Sequence, residues 1–160
     1  MTGPAVKQVA TFEDGRAKVD VKRYIKVEKI PGGLIEDSKV LNGVMFNKDV
    51  VHPKMKRRIE KPRVVLMDCP LEYKKGESVT NMEFTQATDF TAALQMEEED
   101  IKRMVDDVLK VKPDLVFTEK GVSDLACYLL AKEGVSVIRR VKKTDNNRIA
   151  KAVGATIVHR

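Results

Sequence analysis

The sequence has no tryptophan, five phenylalanines and three tyrosines, two cysteines and two histidines. Cys69 and Cys127 lie in no CxxC pair, and His52 and His159 stand alone. That excludes a disulfide framework and argues against a zinc site. Free thiols suit a reducing compartment, so a cytoplasmic location is expected. No uncharged apolar run approaches the roughly 20 residues needed to cross a bilayer. The opening MTGPAVKQVATFEDGR has no apolar core of the secretory-signal kind. There is no GxGxxG, no GxxxxGK[ST] and no GxSxG, so neither common phosphate loop nor a nucleophile elbow is present.

What is present is ordinary globular composition. The 160 residues are 42% hydrophobic and 34% charged, which excludes disorder and fibrous repeats. The length fits one domain, with a piece of a second attached. Such a chain buries about two-thirds of its unfolded surface and needs no metal to hold a core. The net charge of +6 is unevenly spread. Residues 52–63 read HPKMKRRIEKPR, residues 139–143 read RRVKK, and residues 97–100 read EEED. A single-strand nucleic-acid groove interleaves basic residues with stacking aromatics. The basic run here contains none, so it reads first as a solvated or protein-contacting loop. A nucleic-acid-binding α/β module using residues 52–63 is the alternative.

Two styles of patterning divide the chain. In residues 18–28 Val19, Val21, Ile25 and Val27 alternate with charges, a half-buried strand signal ended by Pro31-Gly32-Gly33. Residues 40–46 read as a second strand crossing Gly43. Residues 47–62 read as a long exposed loop with two prolines, and such loops tend to be functional. From Arg63 onward, short apolar runs at 64–67, 115–117, 135–138 and 156–158 alternate with helical periods at 122–133 and 146–153. That alternation predicts an α/β layer with a largely parallel sheet. Gly134 and Gly154 sit where helix C-caps belong.

One helical stretch is irregular. Residues 88–111 make a helix of about 36 Å, with Thr88 or Asp89 as N-cap. Ile101, Met104, Val105, Val108 and Leu109 form an apolar stripe, but residues 97–100 put four acids where that stripe should continue. Either the helix kinks there or the turn is merely solvated, or its first half leaves the body and carries exposed Phe84, Phe90 and Leu94 at a contact tip.

No catalytic constellation emerges, and no enzyme is expected. Cys127 lies in an apolar helix and reads as a buried thiol rather than a nucleophile. The carboxylates occur as helix-surface runs.

Three long strings carry a resemblance: KVEKIPGGLIEDSKVLNGVMFNKDVVHPKM, RVVLMDCPLEYKKGES and DLVFTEKGVSDLACYLLAKEGVSVIRRVKKTDNNRIAKAVGATIV. Together they resemble the group II chaperonins, and within them the eukaryotic cytosolic chaperonin. EYKKGES and KTDNNRIA are similar to one of its subunit types above the others. The resemblance implies an apical-domain-like layered fold, a largely parallel sheet flanked by helices with a long helical protrusion. Residues 1–37 would belong to the intermediate domain and its hinge. Residues 38–160 would form the apical, substrate-binding domain, with the protrusion at about 77–104 contributing to a built-in lid.

It also implies a site. Family apical domains hold clients on a helix matching residues 122–133 and a loop matching about 47–57. On a 3.6-residue period, Val122, Leu125, Ala126 and Leu129 face inward, while Asp124, Cys127, Tyr128, Ala131 and Lys132 face out. The loop adds Asn47, Lys48, Asp49, His52, Lys54, Met55, Lys56 and Arg57. The implied partners are non-native protein clients, actin and tubulin among the family's, and other subunits of a hetero-oligomeric double ring. Neither nucleic acid nor membrane is implied. ATP and magnesium serve the full-length family through a GDGTT-type loop and a catalytic aspartate, which this sequence lacks. The chain is therefore expected to have no cofactor and to neither bind nor hydrolyse ATP.

Overall fold

The chain opens with helix α1 (Thr2–Val9), a hairpin of β1 (Thr11–Glu13) and β2 (Arg16–Lys18), and a single helical turn α2 (Val21–Tyr24). The computed structural model describes residues 2–73 and 87–159, with side chains in the second stretch from residue 91. In the hairpin, Glu13 pairs with Arg16 across Asp14-Gly15, whose φ angles are 50° and 76°. Positive φ at both central residues is the two-residue turn that matches strand twist, and Asp-Gly favours it.

Next come the strands β3 (Val64–Met67), β4 (Leu115–Thr118), β5 (Ser136–Ile138) and β6 (Ile157–Val158). They form one parallel sheet in the order β5-β4-β3-β6. Helices α3 (Ala87–Leu109), α4 (Asp124–Lys132) and α5 (Lys143–Val153) connect them. Right-handed crossovers stepping outward from β3 to β5 place α3 and α4 on one face. The return to β6, beyond β3, places α5 on the other. The packing follows: Met67, Val116 and Val137 cluster with Val105, Val108, Ala126 and Leu130. Leu66, Phe117 and Ile138 cluster with Ile149. All four apolar runs read from the sequence are thus strands of one parallel sheet covered on both faces, as the alternation predicts.

The helix ends also follow the sequence. Ser123 Oγ accepts the Ala126 N–H at 3.2 Å, an N-cap for α4. Gly134 and Gly154 adopt φ of 76° and 66°, the left-handed turn a side chain resists.

Three expectations are corrected. Past Lys18, which ends β2, the strand expected over 18–28 is absent: Asp20 accepts the Arg23 N–H at 3.0 Å and caps α2 instead. Val27 is 82% exposed, so the alternation there faces no layer. Residues 40–46 form no ladder either. Val44 and Phe46 still point inward, with Phe46 edge-on to Phe117 at 5.6 Å, while Met45 points out. The period of two records one-sided burial without a partner strand. Third, α3 does not kink at its acids; helix is continuous from Ala87, before the expected caps Thr88 and Asp89. Glu98 and Asp100 pair with Lys102 and Arg103 along its outer face at 3.8 and 3.5 Å.

Candidate functional site

The short helix α4 is positioned from both ends of its preceding turn. Leu71 donates to Gly121 O at 3.1 Å and accepts from Ser123 N–H at 3.0 Å, so the segment after β3 fixes where α4 starts. Burial then sorts its side chains. Ala126, Cys127 and Leu130 are buried, Leu125, Leu129 and Ala131 are half-buried, and Asp124, Tyr128 and Lys132 are exposed. The exposed three recur every four residues and make one stripe along the helix. Asp124 in the first turn and Lys132 in the last also complement the helix dipole. Tyr128, 59% exposed, has no such role in holding the helix.

Cys127 does not join that stripe. It is 3% exposed, and burial pushes its thiol pKa up, against a smaller opposing effect of Arg139. The inward face is wider than a 3.6-residue stripe because α4 meets α3 on one side and the sheet on the other. Ala131 is likewise only half out. Leu125 and Leu129, expected to be fully inward, keep part of their surface open beside Tyr128. Sequence periodicity alone assigns them to the core. The short length of α4 and its terminal charges were the available hint that its apolar side reaches the rim.

The loop 47–57 lies against the same apolar cluster. Val50, Val51 and Met55 pack with Ala126, Cys127 and Leu130. Met55 is 5% exposed, so it too is not a surface contact but a plug. His52 is half-buried, its Nδ1 accepting the Lys54 N–H at 3.2 Å. Asn47, Lys48, Asp49, Lys54, Lys56 and Arg57 are exposed. Arg57 meets Asp49 at 3.2 Å in an exposed pair worth little. Helix and loop therefore share one apolar cluster, with Tyr128 and two half-buried leucines on the helix and four exposed cations against one acid on the loop.

Of the expected tip residues, Leu94 falls among the described side chains. Phe84 falls outside the described residues, as does the side chain of Phe90. Leu94 is exposed, and no residue from 91 to 100 is buried. Among the described residues of α3 the buried ones, Ile101, Val105 and Val108, lie in its second half.

A second concavity sits at the carboxyl ends of β3 and β6, lined by Tyr24, Asp68, Glu119, Lys143, Lys151 and His159. Strand ends at a change of direction are the usual ligand position in open α/β sheets. Here the polar groups mostly answer one another. His159 contacts Asp68, Asn146 donates to Glu119 at 2.9 Å, and Lys151 donates to Thr11 at 2.8 Å while lying over the Tyr24 ring. No metal-ligating cluster occurs among the described residues. Elsewhere, at the turn into α4, Gly121 is overlain by the Glu72 carboxylate, which would repel an anion from that helix start.

Comparison with known proteins gives a consistent result. The family model described as the TCP-1/cpn60 chaperonin family matches residues 1–160. The chain is 66% identical over 158 residues to T-complex protein 1 subunit gamma of Oxytricha granulifera, covering 98% of this chain and 28% of that one. It is 65% identical to the subunit gamma of Drosophila melanogaster and 60% identical to that of Homo sapiens, each covering 98% of this chain and 29% of the relative. The chain thus spans under a third of the length of these relatives. An open-state monomer of a group II chaperonin from Methanococcoides burtonii superposes with a TM-score of 0.73 at 31% identity, covering 99% of this chain and 33% of that one. Among the described residues no helix is long and apolar enough to cross a membrane.

Proposed function

The chain belongs to the TCP-1/cpn60 chaperonin family, and from that premise we propose that it is the client-capturing part of a chaperonin subunit. Residues up to about 37 form the intermediate-domain segment and its hinge, and residues 38–160 the apical domain. Non-native polypeptide lies in the patch between α4 and the loop 47–57. Tyr128 anchors it with a large apolar area and a polar tip. Asp124, Lys132 and the loop cations sort segments by charge. The first half of α3 serves as part of a lid element. Nucleotide chemistry lies outside these 160 residues, and the partners are unfolded clients and the other subunits of a ring in the cytosol.

One observation carries the reading: α4 and the loop 47–57, far apart in sequence, pack on one apolar cluster, with Tyr128 exposed on the helix and Lys48, Lys54, Lys56 and Arg57 exposed on the loop. Each exposed ion pair contributes only about 0–1 kcal/mol, so one such patch binds weakly. Useful affinity comes from several subunits engaging one client at once.

Fluorescence anisotropy with labelled, reduced and carboxymethylated α-lactalbumin tests this. Saturable binding of that permanently unfolded probe, but not of the native protein, is expected, with a shallow salt dependence. Binding to single-stranded DNA that falls steeply with salt would instead support the nucleic-acid reading of residues 52–63.

A further inference from the structure

The loop 47–57 ought to be mobile. It carries Lys48, Lys54, Lys56 and Arg57, is interrupted by Pro53, and belongs to no regular element. Yet it is fastened to the edge strand β5 at three points. Val51 N–H donates to Val137 O at 3.1 Å. Val137 N–H donates to the thioether of Met55 at 3.3 Å. The Ser136 hydroxyl donates to Lys56 O at 2.7 Å, across 80 residues of sequence. Ser136 is fully buried, and a buried serine is uncommon without a partner that requires it.

These contacts have a common consequence. With Met55 pinned inward, its neighbours Lys54 and Lys56 stay exposed. The loop makes a turn against β5, with Met55 N–H donating to His52 O at 3.0 Å, and its exposed cations sit on that fastened segment. We propose that Ser136 and Met55 are positioning residues for client capture: they pre-order the cationic loop so that binding does not have to. The inference rests on the reading of α4 and the loop as the client patch. Ordering a loop before binding removes that cost from the bound state. The contacts also cover the one free edge of β5, so an extended client meets side chains instead of an open ladder.

The test uses the 160-residue chain with Ser136→Ala, Ser136→Thr and Met55→Leu. Ser136→Ala removes the hydroxyl donor. Met55→Leu keeps the apolar bulk and removes the sulfur acceptor. Two readouts are taken: amide exchange across residues 50–57, and binding of reduced, carboxymethylated α-lactalbumin. The expectation is faster exchange in that window for Ser136→Ala and Met55→Leu. Probe affinity should fall by about two- to ten-fold, the scale of one lost hydrogen bond. Ser136→Thr, which keeps the hydroxyl, should hold both readouts near wild type. Exchange unchanged in both disruptive variants would overturn the clamp while leaving client capture standing. Faster exchange with unaltered probe affinity would show a clamp without a positioning role. If the wild-type chain does not bind the probe while its 50–57 window is protected, the client reading falls, and the positioning role with it.

Discussion

Alanine at Leu130 and at Tyr128, two residues apart on α4, should give opposite results. Leu130 is fully buried between the sheet and the helices, in one cluster with Val116 and Val137. Truncating it leaves a cavity among neighbours anchored in strands, which cannot collapse freely. The cost for such sites is about 2–5 kcal/mol. For a chain of this size that lowers the melting temperature by about 5–15 °C. Tyr128 has more than half its surface in water, so alanine forfeits at most about 1 kcal/mol of packing. Leu125→Ala falls between them, because Leu125 is only half-buried. The assay is thermal melting by circular dichroism beside probe binding by anisotropy. Leu130→Ala should melt early and bind normally at a temperature where it is folded. Tyr128→Ala should melt within about 3 °C of wild type and bind several-fold more weakly. The reasoning is refuted if Tyr128→Ala melts as early as Leu130→Ala, or binds the probe unchanged.

Three further outcomes are expected. The Cys127 thiol has a raised pKa from burial, so the neutral form is favoured by the fold. Its contribution is complete below the ordinary thiol value of about 8.5 and is lost as pH rises through the raised folded value. Urea melts at pH 7 and pH 10 should show a smaller alkaline loss in Cys127→Ala, and iodoacetamide should label Cys127 slowly in the native chain. Asn146→Ala removes a fully buried donor 2.9 Å from the Glu119 carboxylate and should cost about 1–3 kcal/mol by urea denaturation. Replacing Leu94 and Met96 together by serine should shift stability by no more than about 0.5 kcal/mol each, because neither is buried.

Much of the sheet was legible because each strand of a doubly covered parallel sheet is a short apolar run, and Ser123, Gly134 and Gly154 mark helix ends chemically. The false strands at 18–28 and 40–46 share one cause. Alternation reports which side of an extended segment is covered, and says nothing of whether a second backbone lies alongside. Asp14-Gly15 carries a hairpin signal, but a faint one, since its flanking strands have only three residues each and one large apolar side chain. At the candidate site, the stripe of Asp124, Tyr128 and Lys132 follows from helical spacing. Cys127 and Met55 do not, because their burial depends on what packs against them: α3 and the sheet for one, the edge of β5 for the other. A loop described by charge and proline alone gives no sign that one of its residues is a plug.

The account stands or falls on whether unfolded polypeptide touches Tyr128. The direct measurement replaces Tyr128 with p-benzoylphenylalanine, irradiates the chain with reduced, carboxymethylated α-lactalbumin, and maps the cross-links by mass spectrometry. A second chain carries the same photoprobe at Val153, an exposed residue of α5 on the opposite face of the sheet. The account predicts cross-links from position 128 to the unfolded probe, few to native α-lactalbumin, and few from position 153. Equal cross-linking from both positions, or none from position 128, would contradict it.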